Sequence, residues 1–324
     1  MSTNDSYVPR HGETDHSGRA ADGSCNGCLL MHALVTFVLS VVTLFGFYAL
    51  LAVGLGLIFG QLNVVNVAFG DFAMAGAFVM YGLSSVPFVL RVLIALVLGA
   101  VVAWAVERLL LRPLYAQGFL ATLLAMWGVG IVLRQGAQAI FGATPAAVEV
   151  PVAGTVSVLG VQYPSYRLIS TAVALIVAAA ILWVIYRTDL GMRLRATIDN
   201  REMAALLGIP PRLMISATFV FGTVLAVLAG ALQSPQLGIT PDLGVTFLAP
   251  AFFAVLVGRP GSLAGPLFGG LVVAALSTAL RTWFSETTAT FLFYAALIAL
   301  IALRPQGLDL RRPSWTALGR RRPA

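Results

Sequence analysis

Apolar residues run along this chain in long blocks rather than in alternating or one-face patterns. A helix needs about 20 consecutive apolar residues to cross the hydrocarbon of a bilayer. Blocks on that scale lie near 33–59, 66–84, 88–107, 118–141, 168–186, 213–233, 244–258, 263–283 and 288–303. The first is long enough to tilt, and the seventh short enough to be re-entrant. The pattern predicts an all-α polytopic membrane protein, a bundle of about 8–9 transmembrane helices.

Two stretches between the blocks carry patterns of their own. Residues 142–167 alternate Val with small or polar residues between Pro and Gly breaks, which suits a small β-hairpin lid or an ordinary ordered loop. Residues 187–212 are too polar to enter lipid. There Asp199 and Glu202 form a capping-box-like start, Ala204 to Leu207 favour helix, and Gly208 before Pro210 stops it. A short helix is expected, with Met203, Leu206 and Leu207 as an apolar stripe for a partner to grip.

Some blocks are interrupted. The second opens QLNVVNVAFGDFAMAGAF, which places Asn63, Asn66 and Asp71 in or beside apolar sequence that also holds Gly70. An ionisable group at depth is costly, so it faces a cavity or a partner. Asp71 is therefore expected to line or gate a path, by bonding an exposed helix end or pairing with an Arg of a partner subunit. The seventh block and its approach carry Pro235, Pro241, Asp242 and Pro250, and Pro breaks or kinks a helix interior. A pair of interrupted segments in two halves of a chain points to a transporter's central site. Gly261, Gly265 and Gly269 fall four apart, a stripe that lets two helices approach closely in lipid.

Composition narrows the function. Hydrophobic residues make up 59% and charged residues 10%, against about 25% charged in soluble domains. A soluble enzyme or a nucleic-acid module is thereby excluded. All 20 basic side chains are Arg. Without Lys there is neither a phosphate-binding P-loop nor Schiff-base chemistry. His11, His16 and His32 precede or edge the first block, so no Ser–His dyad or His-bound metal can form in the membrane. Cys25 and Cys28 lack two further ligands for zinc and read as part of an inert tail. The organisation expected is a polar, disordered tail over 1–28, a membrane domain over 29–310, and a basic tail over 311–324. Fourteen arginines lie on one set of loops, including Arg187, Arg193, Arg212, Arg304 and Arg320. The other six, Arg10, Arg19, Arg91, Arg134, Arg167 and Arg281, fall on the opposite side. The positive-inside rule then makes the C-terminus cytoplasmic.

Four blocks of sequence, in order, resemble one family. They are LGLIFGQLNVVNVAFGDFAMAGAFV, RTDLGMRLRATIDNREMAALLGI, FFAVLVGRPGSLAGPLFGG and the closing RPQGL. They are similar to the branched-chain amino acid ABC-transporter permeases of the LivH type. The resemblance implies a permease subunit of an ATP-driven importer for branched-chain or other hydrophobic amino acids, or related small solutes such as urea or amides. It implies a translocation path at Asn63, Asn66, Phe69, Gly70 and Asp71 around a broken central helix. It also implies an ATPase-coupling segment at Arg195, Glu202, Met203, Leu206, Leu207 and Gly208. No cofactor is expected in this chain, since partner subunits use the ATP. The partners implied are a second permease of the LivM type, two cytoplasmic ATPases and an extracytoplasmic solute-binding protein, with membrane lipid around them and no nucleic acid. The place implied is the bacterial cytoplasmic (inner) membrane. The chain departs from the family where Phe69, Gly70 and Asp71 stand for its usual His, Gly and acid, and where Gly258, Arg259, Pro260 and Gly261 stand for a Gly-Gly turn. Phe69 is expected to narrow the path and favour apolar substrates. The competing reading is a stand-alone facilitator or secondary carrier of small polar solutes. Ion-coupled carriers need several intramembrane acids or His, whereas Asp71 is nearly alone.

Overall fold

The computed structural model describes residues 22–62, 66–258 and 264–303. Every apolar block becomes a helix. The helices are α1 (Asp22–Leu62), α2 (Phe69–Gly82), α3 (Phe88–Val106), α4 (Arg112–Leu114), α5 (Phe119–Phe141), α6 (Ser165–Arg187), α7 (Asp189–Asp199), α8 (Arg201–Leu206), α9 (Pro211–Gln233), α10 (Leu243–Val257), α11 (Gly265–Trp283) and α12 (Glu286–Leu303). Two short strands, β1 (Thr155–Val158) and β2 (Val161–Pro164), pair antiparallel between α5 and α6. The expected hairpin is therefore present. Leu159 and Gly160 at its tip both have positive φ, as a two-residue turn between twisted strands requires.

α1 begins at Asp22, within the polar stretch over 1–28. Once a long apolar stretch has met the cost of nucleation, extending the helix outward costs little. The remainder of that stretch, the 311–324 tail and Gly261 lie outside the described residues. The helices differ in length. Six segments of the described residues are long and apolar enough to cross a membrane. The second, seventh and ninth blocks give the shorter helices α2, α10 and α12. At a rise of about 1.5 Å per residue, α2 covers only ~21 Å of a ~30 Å hydrocarbon core.

Packing sorts the helices into centre and rim. Ala49, Leu50, Leu51 and Ala52 of α1 are wholly buried, so this part of the helix is enclosed on every side. α6, α9, α10 and α11 pack around it, while α3 and α5 turn rows of large apolar side chains outward, among them Val97, Val101, Leu124 and Val132. Such faces suit lipid. Where backbones cross most closely, the side chain is missing. A Cβ on Gly54 of α1 or on Gly222 of α9 would lie 2.7 Å from the other residue's carbonyl oxygen. Gly76 and Gly230 do the same for α2 against α9, and Gly269 for α11 against α10. A π-turn at Glu107–Leu111 separates α3 from α4. The wider turn relieves the clash that Pro113 would otherwise make with the carbonyl four residues earlier.

The bundle has two distinct ends. Tyr163 of β2 is buried against α1, its hydroxyl 3.0 Å from Thr43 Oγ1, so the hairpin caps one end. At that end Ala146 and Ile239 also pair through backbone hydrogen bonds of 2.9 and 2.7 Å. α7 and α8 lie at the other end, with Ile198 approaching Gly60 near the close of α1.

Candidate functional site

The polar centre of the bundle is built where α2, α5 and α10 meet. Asp71 stands in the first turn of α2, where a carboxylate suits the unpaired N–H groups of the helix start. Its side chain is 5% exposed, and Arg134 Nε lies 3.2 Å from its Oδ1. A Cβ on either Gly130 of α5 or Gly244 of α10 would collide with the carboxylate. Two glycines thus make the slot that holds the charge. Gly70 is needed for the same crossing, since a Cβ there would strike the carbonyl of Gly244.

Arg134 was counted with the outer loops, and its place is different. It lies within α5, four residues past the midpoint Gly130, or about 6 Å along the axis. The partner of Asp71 is therefore in its own chain. A lone Arg inside an apolar block carried the same signal as the lone Asp; its place near the end of the block let it pass as a loop residue.

The other path candidates divide. Asn66 is 1% exposed, and its carbonyl accepts the Phe69 N–H at 3.2 Å. Both polar atoms of its side-chain amide are buried without a hydrogen-bond partner. Phe69 is wholly buried, its Cζ 3.1 Å from where a Cβ on Gly54 would stand, so it fills the space between α2 and α1. Asn63 lies outside the described residues.

The polar segment at the far end folds as two helices. Thr188 caps α7 and Asn200 caps α8, with Asn200 Oδ1 accepting the Met203 N–H at 3.0 Å. The cap was expected at Asp199 and sits one residue later, because Asp199 is the last residue of α7. Gly208, with φ of 79°, ends the turn after α8 as anticipated. Met203, Leu206 and Leu207 are 55%, 82% and 72% exposed, and Glu202 is exposed beside them. Arg195 is not on this face. It donates to the carbonyl of Ile185 and its guanidinium stands 5.4 Å from the Tyr186 ring, so it ties α7 to the end of α6. Among the described residues no cluster of three or more His, Cys, Asp or Glu could hold a metal ion.

Residues 37–303 match the family model of the branched-chain amino acid transport system permease component. The chain belongs to that family. It is 28% identical over 283 residues to the high-affinity branched-chain amino acid transport permease BraD of Pseudomonas aeruginosa, covering 82% of this chain and 92% of that one. It is 26% identical over 296 residues to LivH of Escherichia coli, covering 84% and 94%. Among solved structures it is similar to PsaBC from Streptococcus pneumoniae in complex with Fab, at 16% identity and a TM-score of 0.45 over 83% of this chain and 92% of that one. As a member of the family the chain is a multi-pass membrane permease subunit of an ABC importer, a transport component that works with ATPase and binding-protein subunits.

Proposed function

We propose that this permease carries branched-chain or other hydrophobic amino acids into a bacterial cell. It lies in the inner membrane with its C-terminus in the cytoplasm, beside a second permease of the LivM type. One of two cytoplasmic ATPases docks on α7 and α8, and an extracytoplasmic binding protein delivers substrate at the hairpin end. The names of its relatives support the substrate class, and the arginine asymmetry supports the orientation. The path runs by Asn63, Asn66, Phe69, Gly70 and Asp71, a placement supported by the unpaired amide of Asn66 at the broken start of α2.

One observation carries the coupling assignment. Met203, Leu206 and Leu207 are exposed on a polar segment outside the candidate spans. A stand-alone carrier has no use for such a face, and a docking ATPase does. Leu206→Asp places a charge that docking would desolvate. The variant is expected to insert normally and to lose co-purification with the ATPase subunits. An intact complex would move the contact elsewhere.

A further inference from the structure

The Asp71–Arg134 pair uses only part of the arginine. Nε is the nitrogen that faces Asp71, and it also lies 3.4 Å from the carbonyl of Gly130. Among the described residues none bonds the terminal nitrogens of the guanidinium. The two partners also differ in access. The Asp71 side chain is 5% exposed in its slot between glycines, while that of Arg134 is 22% exposed. At about 6 Å from the midpoint of α5, a half-used guanidinium is costly unless something polar meets it.

The surroundings indicate what that is. The terminal nitrogens form a planar fork, the geometry that accepts a carboxylate through two parallel hydrogen bonds. Ala68, two residues after Asn66, packs on Gly130, its Cα 3.6 Å from where a Cβ would stand. Asp71 meets the arginine as an ion pair at Nε, 3.2 Å away, while the Nε–H itself is directed at the Gly130 carbonyl.

We propose that Arg134 is a carboxylate-binding residue on the translocation path, whose terminal nitrogens take the α-carboxylate of the passing amino acid. Asp71 is the positioning residue that fixes the guanidinium and balances its charge between passages. This deepens the proposed function and rests on its substrate class.

The test uses the assembled complex of permeases and ATPases in detergent, without the binding protein. Isovalerate, which joins leucine's isobutyl group directly to a carboxylate and lacks both the α-carbon and the amine, is the probe, and saturation-transfer NMR reads its binding. Binding is expected to be saturable, to be displaced by L-leucine, and to be unaffected by 3-methylbutylamine, which lacks the carboxylate. Arg134→Gln should weaken it at least about tenfold, the loss of a charge-assisted hydrogen bond. Arg134→Lys should weaken it less, since charge remains without the fork. The double change Asp71→Asn with Arg134→Gln removes both charges without adding bulk to the slot; it is expected to keep co-purification with the ATPases and not to bind isovalerate. Equal binding by wild type and Arg134→Gln would overturn the proposal, as would displacement by the amine. ATP-driven L-leucine uptake by the wild-type complex, reconstituted into proteoliposomes together with its binding protein, separates the two levels. If that uptake is present but isovalerate binding ignores Arg134, only this inference falls; if the complex hydrolyses ATP and moves no amino acid, the substrate class falls with it.

Discussion

Asp71 shows how one residue is held by what its neighbours lack. Its slot exists because residues 130 and 244 are glycines, so Gly244→Ala must push the carboxylate off Arg134 or separate α2 from α10. We expect this change to destabilise the fold by about 1–3 kcal/mol, read as a lower unfolding temperature of the purified complex. Asp71→Ala strands a guanidinium inside the membrane at a cost of about 3 kcal/mol and should cut uptake strongly. Asp71→Asn keeps an acceptor for Nε and should retain more uptake than Asp71→Ala. Uptake by the reconstituted complex, with ATPase docking as the control, checks the order; full uptake by Asp71→Ala would remove Asp71 from the path. That Asp71 needs a cavity or a charged partner was legible from the sequence, because a lone acid in an apolar block is costly unless something polar meets it. Its partner was not, because position near a block's end does not distinguish a residue in the helix from one in the loop. Phe69 illustrates the opposite limit. Its identity suggested a constriction, and its burial against Gly54 is a tertiary fact that no local pattern carries.

The helical form of the polar segment over 187–212 was legible in kind and shifted in detail. Its polarity, its exposed stripe and its Gly208 stop are all local properties, and all appear in α7 and α8. The cap moved by one residue because Asp199 extends α7, leaving the adjacent Asn200 to start the next helix. This has a direct consequence. Asn200→Ala should cost about 1 kcal/mol of local stability and weaken ATPase binding, whereas Asp199→Ala, which removes no cap, should leave binding unchanged. Titrating each variant with purified ATPase subunit distinguishes them, and equal loss from both would restore the capping box at Asp199. The shortness of α2 was less accessible. Residues 66–68 are as compatible with helix as those that follow, and the chain leaves the helical path there because Ala68 and Gly70 must pack against α5 and α10.

Across the whole molecule, the blocks of apolar sequence translate into helices almost one for one, since water-free backbone leaves no other way to satisfy its hydrogen bonds. Which helices are central depends on the glycine crossings at Gly54, Gly76, Gly222 and Gly230, where the hydrophobic effect contributes little and close packing holds the helices together. The energy for transport has to come from elsewhere. A chain without Lys has no phosphate-binding loop, and the purified single chain is expected to hydrolyse no ATP. The most direct test is uptake of labelled L-leucine into proteoliposomes, with this permease alone and with its partner permease, the ATPases and the binding protein. The account predicts uptake only in the full assembly and only with ATP, and none from the single chain under any ion gradient. Gradient-driven uptake by the single chain without ATP would contradict it.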